Sequence, residues 1–407
     1  MRTLYRDTAI ADGRSDRLAV GMSILVEDGR ITWIRPTDGE PDPGAGGASG
    51  SGAAGGLSVI DASGATVVPG MVDAHSHVTL PGGAHWIDRI DDPPSVLLEV
   101  AEHNGQLLTQ AGVRWARDVG SPRLTDPVSG ETHALALGVR DRWRARPAMP
   151  YIRAGGTWLD KSGALPAAAH TVEAKDADEL LANAGRQLDE GADFLKLYLQ
   201  GPDPGVSPWT ADEVRRVTEM AHARGARVTA HAAEYEGVRA GVFGGVDSIE
   251  HGDEIDDETV AEMQRRRTFL VSTLAIYPSW ASFATTTTLQ RFTEPDRRKR
   301  LADRLEVAND SALRAHRAGV PIAAGTDFGG GSLRANQLAW EVECLVTAGL
   351  EPWQALASAT WRGGELLGEP DAGTIREGGP ADFFLVHGDP LSDPAALWRV
   401  WRVAWRD

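Results

Sequence analysis

Eight short apolar runs lie between residues 66 and 324, with helical patterns between them. The runs are rich in β-branched residues, which favours strands. In the intervening segments apolar residues recur at spacings of three and four, as at Leu180, Ala184 and Leu188, which predicts helices with one buried face. Strands and helices that alternate in this way are typical of one α/β fold, the (β/α)8 TIM barrel. The runs span residues 66–72, 113–119, 150–154, 194–199, 228–230, 246–249, 269–273 and 321–324.

A doubly wound parallel sheet is the alternative arrangement of the same elements. Nucleotide-binding sheets of that class carry a G-x-G-x-x-G fingerprint directly after the first strand. No such fingerprint follows the first run, and the phosphate-binding pattern G-x-x-x-x-G-K-[S/T] is absent from the chain. The sequence therefore favours the barrel.

Both ends of the chain carry further short apolar runs, at residues 19–26, 31–34 and 58–62 and again at 381–386. We expect residues 1–65 and 372–407 to build one small β-sandwich domain, and residues 66–371 to form the barrel. Residues 39–56 contain mostly Gly, Ala, Ser and Pro, which cannot bury enough apolar surface to offset the entropy lost on ordering. This segment is predicted to be a flexible surface loop.

The charge and cysteine content exclude several classes of protein. The chain has 41 Lys and Arg against 58 Asp and Glu, a formal net charge of −17, whereas nucleic-acid binders need a basic footprint. The single cysteine, Cys344, cannot form an internal disulfide, and no apolar stretch reaches the roughly 18 residues of a membrane span. The N-terminus lacks the apolar core of a signal peptide. We expect a cytoplasmic protein that acts on a small-molecule or peptide substrate, without nucleic-acid or membrane partners.

Two histidines separated by one residue, His75 and His77, follow the first run. In extended backbone residues i and i+2 point to the same side, so both imidazoles can reach one metal ion. A single His-x-His pair is a weak signal, but four further polar residues lie at the ends of later runs, and the C-terminal ends of barrel strands meet at one face. These four are Lys196, His231, His251 and Asp327.

With these residues in place, the chain resembles the metal-dependent amidohydrolase superfamily and, within it, the imidazolonepropionase-like and prolidase-like group. The resemblance runs from about residue 60 to residue 390 and implies a metal-bearing (β/α)8 barrel with a β-sandwich from both termini. The segments that carry it are PGMVDAHSH at 69–77, RDVG at 117–120, DFLK at 193–196, DSIEHG at 247–252, AGTD at 324–327 and GPAD at 379–382.

The resemblance also implies a role for each of the six residues. His75, His77 and Asp327 would hold the more buried of two divalent ions, and His231 and His251 the second. Lys196, carboxylated on its amine by CO₂, would bridge them. The ions, expected to be Zn²⁺, would share a hydroxide that attacks an amide carbonyl. As the catalytic residue, Asp327 would take the proton of the nucleophile and pass it to the departing nitrogen.

The sequence departs from the prolidase-like pattern near the substrate. Relatives often carry Gly-Gly-His after the third strand, whereas this chain has Gly-Gly-Thr followed by Trp158, which predicts an apolar or aromatic substrate group. Arg334 follows Asp327 where many relatives have a histidine, and it is a candidate clamp for a substrate carboxylate. Tyr198 and Tyr235 are candidate donors to an oxyanion. For each of these four residues, ordinary packing or solvent exposure is the alternative.

The sequence also supports predictions for three other segments. Residues 277–293 are predicted to form a long loop that acts as a lid or substrate wall. The basic clusters at 265–267 and 297–300 are typical of solvated helix faces. Three tryptophans near the C-terminus are predicted to pack that segment onto the body or to support a homo-oligomer contact; they are Trp398, Trp401 and Trp405.

The leading functional hypothesis is hydrolysis of an amide bond in a dipeptide, an N-acyl amino acid or a modified peptide natural product. A mononuclear deaminase or cyclic-amide ring-opening hydrolase is the first alternative, because His231 and Glu234 form the His-x-x-Glu pattern of some relatives. Lys196 argues against it, since a one-metal site needs no bridging ligand. A catalytically silent scaffold of the same fold is the second alternative.

Overall fold

The computed structural model describes residues 1–40, 56–125, 132–165, 171–203 and 205–406. The predicted flexible loop at 39–56 lies almost wholly outside the described residues and stays a prediction. Within the described ranges, no helix combines the length and the apolar character that crossing a membrane requires.

The strands and helices alternate through the middle of the chain. The strands are β1 (Arg2–Ile10), β2 (Ala19–Glu27), β3 (Arg30–Pro36), β4 (Leu57–Asp61), β5 (Ala65–Pro69), β6 (Met71–Ser76), β7 (Val113–Asp118), β8 (Arg123–Thr125), β9 (Thr132–Ala134), β10 (Tyr151–Ala154), β11 (Trp158–Lys161), β12 (Thr171–Ala174), β13 (Phe194–Tyr198), β14 (Arg227–Ala232), β15 (Ser248–His251), β16 (Phe269–Ser272), β17 (Ile322–Ala324), β18 (Phe383–His387) and β19 (Val400–Val403). The α-helices are α1 (Pro94–Gln110), α2 (Leu135–Arg144), α3 (Ala177–Asp189), α4 (Ala211–Ala223), α5 (Tyr235–Gly244), α6 (Asp257–Arg266), α7 (Ile276–Thr286), α8 (Gln290–Thr293), α9 (Arg297–Arg317), α10 (Leu338–Thr347), α11 (Pro352–Ser358) and α12 (Trp361–Leu367).

Both termini contribute to one hydrogen-bonded sheet with the order β19-β18-β5-β1-β2-β3, in which β4 pairs with β1. Its buried face includes Tyr5, Val67 and Phe383, and the rings of Tyr5 and Phe383 meet edge to face at 5.1 Å. The joint contribution of both chain ends is therefore observed. The sandwich form of this unit stays a prediction.

The middle of the chain has a TIM-barrel-like α/β fold. Two parallel groups, β6-β7-β10 and β11-β13-β14-β15-β16-β17, contain the eight predicted strands in chain order. The Asp193 amide donates to the Ala154 carbonyl at 2.9 Å and links the two groups at one side. At the other side the Asp327 amide donates to the His75 carbonyl at 2.8 Å. The C-terminal ends of these strands therefore lie around a common face.

The predicted first barrel strand, residues 66–72, is divided at Gly70. β5 belongs to the terminal sheet and β6 begins the barrel, so the expected boundary between residues 65 and 66 falls within a strand of that sheet. The Gly70 amide donates to the Asp382 carbonyl at 2.8 Å, and a Cβ at Gly70 would lie 2.6 Å from the Arg114 Cβ. The chain can pass from one sheet to the other here because residue 70 has no side chain.

The predicted loop at 277–293 is wrong, because α7 and α8 occupy most of it. The run of threonines suggested an irregular segment. In the structure the hydroxyls of Thr285 and Thr286 donate to the Ser282 carbonyl, a local bond to the backbone of the preceding turn, and α7 ends at Thr286. The apolar residues Ile276 and Trp280, four positions apart, share one helix face.

We predict that Gly70→Ala lowers the free energy of unfolding by about 1–3 kcal/mol, because the added methyl group must displace Arg114 from well-packed surroundings. Gly138→Ala is the matched control, since Gly138 lies in α2 with open space around it. Alanine there should be neutral or stabilise by about 0.5–1 kcal/mol. Urea unfolding measures both, and equal stabilities of the two variants would contradict the prediction.

Candidate metal centre

The six residues predicted as metal ligands all line one cavity of about 720 Å³ at the C-terminal ends of the barrel strands. His75 lies in β6 and Lys196 in β13, while His77 and Asp327 follow β6 and β17. The other two are His231 in β14 and His251 at the end of β15. The structure thus brings together side chains that are widely separated in the sequence.

His75, His77 and Asp327 form the tightest group of potential ligands. The Asp327 Oδ1 lies 3.2 Å from the His75 Nε2 and 3.3 Å from the His77 Nε2, and the three ligand atoms lie within 4.8 Å of one another. The His77 Nδ1 lies 2.7 Å from the Gly120 carbonyl oxygen, which can only accept, so Nδ1 carries the hydrogen. The Nε2 lone pair of His77 therefore faces the group and is available to a cation.

His231 and His251 form a second pair of imidazoles, with the His231 Nδ1 2.9 Å from the His251 Nε2. The His231 Nε2 donates to the Gln200 Oε1 at 3.1 Å, which leaves a lone pair on Nδ1. Burial, with neighbouring positive charge, lowers the pKa of His231 well below its usual value, and burial lowers that of His251 to about 4. Both rings are therefore neutral at physiological pH, the form that binds metal ions.

Two of the candidate ligands have unusual backbones. His251 has φ of 73° and Asp327 has φ of 56°, in the left-handed region that non-glycine residues seldom adopt. Such conformations cost free energy and persist where the surrounding structure holds them, often at functional sites. The strain at both positions is consistent with a site whose geometry matters more than local stability.

Lys196 is almost fully buried, and its Nζ contacts the Glu250 Oε2. Burial lowers the pKa of Lys196 well below its ordinary value, and the nearby Arg117 guanidinium acts in the same direction. The Lys196 Nζ and the His75 Nδ1 both contact the Glu250 Oε2, the second at 3.3 Å, and none of these three buried atoms makes a hydrogen bond. Buried polar atoms usually make hydrogen bonds, and here three that do not lie together beside the other ligands. The donor set therefore fits bound cations.

Glu250 and Arg117 are functional-site residues that reasoning from the sequence did not single out. The Arg117 Nη2 donates to the Glu250 Oε1 at 2.7 Å, and Arg117 Nε donates to the Ala74 carbonyl at 2.6 Å. Thr229 Oγ1 also donates to Glu250 Oε1, at 2.8 Å. This buried ion pair supports the floor of the site. The signal in the sequence was a charged residue inside each of two apolar strands.

The family model for the amidohydrolase family matches residues 66–403. The chain belongs to the amidohydrolase family. An uncharacterized protein of Mycobacterium tuberculosis is 29% identical over 338 residues, which is 82% of each chain. Imidazolonepropionase of Anaeromyxobacter dehalogenans is 27% identical over 400 residues, 90% of this chain and 84% of its own. The crystal structure of a Xaa-Pro dipeptidase with bound methionine has a TM-score of 0.79 and 24% identity, covering 98% of this chain and 97% of its own.

The family match confirms the superfamily that the sequence motifs indicated, and the similarity to imidazolonepropionase agrees with the group that they indicated within it. The Xaa-Pro dipeptidase structure shares the fold. This amidohydrolase is an enzyme, a hydrolase that acts on C–N bonds. The family relationship also agrees with the TIM-barrel-like fold.

Trp158 and Tyr198 lie on the wall of the amidohydrolase's cavity. The Tyr198 ring stacks on the His231 imidazole at 4.1 Å, and the Trp158 ring stacks on Tyr198 at 5.6 Å. The Trp158 edge meets His77 at 5.3 Å, and its Nε1 donates to the Val119 carbonyl at 2.9 Å. The indole is thus fixed beside the candidate ligands.

Tyr235 and Arg334, the other two predicted substrate residues, are not among those that line this cavity. The Tyr235 hydroxyl donates to the Asp256 Oδ2 at 2.9 Å at the start of α5, so the side chain turns away from the mouth. Arg334 lines a separate surface pocket beside Gly83. The Gly83 amide donates to the Ser332 carbonyl at 2.9 Å, and with this contact Arg334 lies outside the cavity.

Cavity-lining residues that the sequence did not identify come from α7 and from the start of α9. Residues 297–300 were expected to form a solvated face, and residues 298–300 are exposed while Arg297 is half-buried. Arg297 and Arg300 also line the cavity, and Arg304 joins them one turn later. α7 adds Tyr277 and Trp280. The helical period shows that such residues share a face, but only the packing of α9 shows which face it is.

We predict that Arg117→Met lowers the free energy of unfolding by about 3 kcal/mol or more, because it leaves the buried Glu250 carboxylate without its cation. Arg216→Met is the control, since Arg216 pairs with Asp178 on the surface at 2.6 Å and should change stability by less than about 1 kcal/mol. Denaturant unfolding compares the two variants. Similar losses would show that the buried pair is not needed for stability.

Proposed function

We propose that the protein hydrolyses an amide bond of a peptide-like substrate, a dipeptide, an N-acyl amino acid or a modified peptide natural product, with two divalent ions as cofactors. The observation that carries this proposal is the group of four imidazoles, one carboxylate and one buried lysine around a single cavity. Bound divalent ions supply Lewis acidity, which makes water nucleophilic near neutral pH and polarises a carbonyl. Imidazole and carboxylate ligands suit Zn²⁺.

His75, His77 and Asp327 would hold one ion, and His231 and His251 the other. Lys196, as an N6-carbamate, would be a ligand of both ions. Its neutral amine attacks CO₂, a C–N bond forms and one proton leaves, which gives an anionic oxygen ligand. The depressed pKa of Lys196 supports this step because it makes the neutral amine available.

Asp327 is the proposed proton carrier. Burial alone would raise the pKa of Asp327, but the neighbouring imidazoles of His75 and His77 outweigh burial and hold it well below its usual value. The ionised carboxylate can therefore accept a proton from the attacking water and return it to the leaving nitrogen. Burial and nearby carboxylates raise the pKa of Tyr198, so its hydroxyl stays protonated and can donate to the oxyanion that forms at the carbonyl carbon.

The deaminase or ring-opening alternative would use Glu234 as a proton shuttle. Glu234 is not among the residues that line the cavity, and its Oε1 lies 3.3 Å from the Gln200 Nε2 and 3.6 Å from an Arg304 nitrogen. These contacts and the buried Lys196 favour amide hydrolysis with two ions. The silent-scaffold alternative is disfavoured because all six candidate ligands are present around one cavity.

Metal content tests the proposal directly. Protein loaded with Zn²⁺ should bind about two equivalents per chain and cleave at least one member of a panel of dipeptides and N-acyl amino acids. Chelation should abolish turnover, and Zn²⁺ should restore it. About one equivalent per chain, with activity towards aminated heterocycles or lactams instead, would support the mononuclear alternative.

Replacing Asp327 with Asn should reduce kcat by about 10²–10⁴-fold or more, because the amide cannot take up the proton of the nucleophile. Tyr235→Phe is the control and should retain activity, since Tyr235 contacts Asp256 away from the cavity. Steady-state kinetics and a far-ultraviolet dichroism spectrum measure activity and folding. A folded Asp327→Asn protein with full activity would refute the proposed proton carrier.

A further inference from the structure

A cationic wall borders the cavity next to an aromatic one. Three arginines from the first two turns of α9 line it, and Tyr277 and Trp280 of α7 lie beside them. We propose that Arg297 is the specificity-determining residue that binds a free carboxylate of the substrate. The substrate class is then an N-acyl amino acid or dipeptide with a free carboxylate and an apolar or aromatic residue. This inference rests on the amide hydrolysis proposed above and adds its substrate class.

Arg297 is the arginine of this wall whose charge is not compensated. Arg304 Nε lies 3.3 Å from the Asp253 Oδ2, and Arg300 Nη2 lies 2.8 Å from the Glu294 Oε2. Among the residues that the structure describes, Arg297 forms no ion pair, and its Nε is buried without a hydrogen-bond partner. Asp91 also lines the cavity, but within the same described ranges no ion pair joins it to these arginines.

The chemistry of a guanidinium suits a carboxylate. Its planar fork donates two parallel hydrogen bonds to the two carboxylate oxygens, and the pair strengthens where water is partly excluded. The Arg297 guanidinium also lies over the Trp280 ring, 5.8 Å from its centre, so its position is defined by the aromatic wall. A substrate that places a carboxylate on Arg297 would therefore lay its own side chain along α7.

The apolar part of the cavity fits such a side chain. Trp280 meets Tyr277 edge to face at 6.1 Å, and Ile276 of the same helix also lines the cavity. Ile87 and Ile90 add aliphatic surface from the segment after β6. An aromatic or large aliphatic group buries well against such surfaces, whereas a second charge would not.

The sequence at the start of α9 is strongly basic. Residues 297–300 are Arg-Arg-Lys-Arg, and the first turn contains no acidic residue. Cations at a helix N-terminus oppose the positive end of the helix dipole, and here the N-cap residue Asp296 and the nearby Glu294 supply negative charge. Lys299 has a local partner in Asp303, at 2.8 Å, whereas Arg297 is directed to the cavity.

Equilibrium binding tests the carboxylate site without turnover. The probes are 4-phenylbutyrate and 4-phenylbutanol, which share the aromatic ring and differ in the carboxylate; neither has an amide bond. Calorimetry on Zn²⁺-loaded protein should show about tenfold tighter binding of the carboxylate. Arg297→Met should remove most of this preference. Arg298→Met, which removes the same charge from the exposed neighbouring residue, should keep it.

Two results would overturn the inference. If Arg297→Met keeps the preference for 4-phenylbutyrate, the carboxylate binds elsewhere, for example on the metal ions. If Arg298→Met loses the preference equally, the effect comes from net charge and not from a site. Unfolding of Arg297→Met would leave Arg297→Gln as the second variant, with the same expected loss.

Measured rates of hydrolysis of two amides distinguish a failure of this inference from a failure of the proposed function. N-acetyl-L-phenylalanine and N-acetyl-2-phenylethylamine each have one amide bond, and only the first has a carboxylate. Arg297→Met should lower kcat/KM for the first at least about fivefold more than for the second. Turnover without any preference for the carboxylate would overturn the substrate class and leave amide hydrolysis standing. A binding preference without turnover of either compound would support the anion site and count against amide hydrolysis.

Discussion

The candidate site depends on the contact between the first barrel strand and the segment that follows the last one. The Asp327 amide donates to the His75 carbonyl, and the His77 amide donates to the Phe328 carbonyl at 2.9 Å. These backbone bonds bring the two histidines and the aspartate together although some 250 residues separate them in the chain. Close approach requires a residue without a side chain, because a Cβ at Gly325 would lie 2.5 Å from the His75 Cβ.

Burial then determines the protonation of the groups that this contact assembles. The low dielectric of the barrel interior disfavours charge and lowers the pKa values of His75, His231, His251 and the Lys196 amine, so these groups are neutral and carry lone pairs. The Asp327 carboxylate is ionised, because its contacts with the imidazoles of His75 and His77 outweigh burial and lower its pKa. Neutral nitrogen donors around one carboxylate are the composition that a divalent cation requires. The same burial would be costly without a cation, since it leaves polar atoms unpartnered.

The sequence predicts the order of the barrel strands and brings the six candidate ligands to one cavity, because both follow from local regularities. Apolar runs identify strands, and a polar residue at a strand end lies at the common face whatever the packing of the helices. The break at Gly70, the helix α7 and the positions of Tyr235 and Arg334 depend on contacts between distant segments, so local patterns do not contain them. Arg297 shows the same limit: a basic run predicts a solvated face, and only the packing of α9 turns one of its residues to the cavity.

Thr157 follows the two glycines where prolidase-like relatives often carry a histidine, and Trp158 comes next and lines the cavity. The Trp158 indole donates its single hydrogen to the Val119 carbonyl, so it has no donor left for a substrate carboxylate. A wall built from Trp158 and Tyr198 can hold an apolar group beside the candidate ligands, but it cannot compensate a negative charge. The arginines at the start of α9 are cationic groups that reach the same cavity from another element. For the substrate class proposed above, the aromatic wall would contact an apolar group and the basic start of α9 would bind the carboxylate.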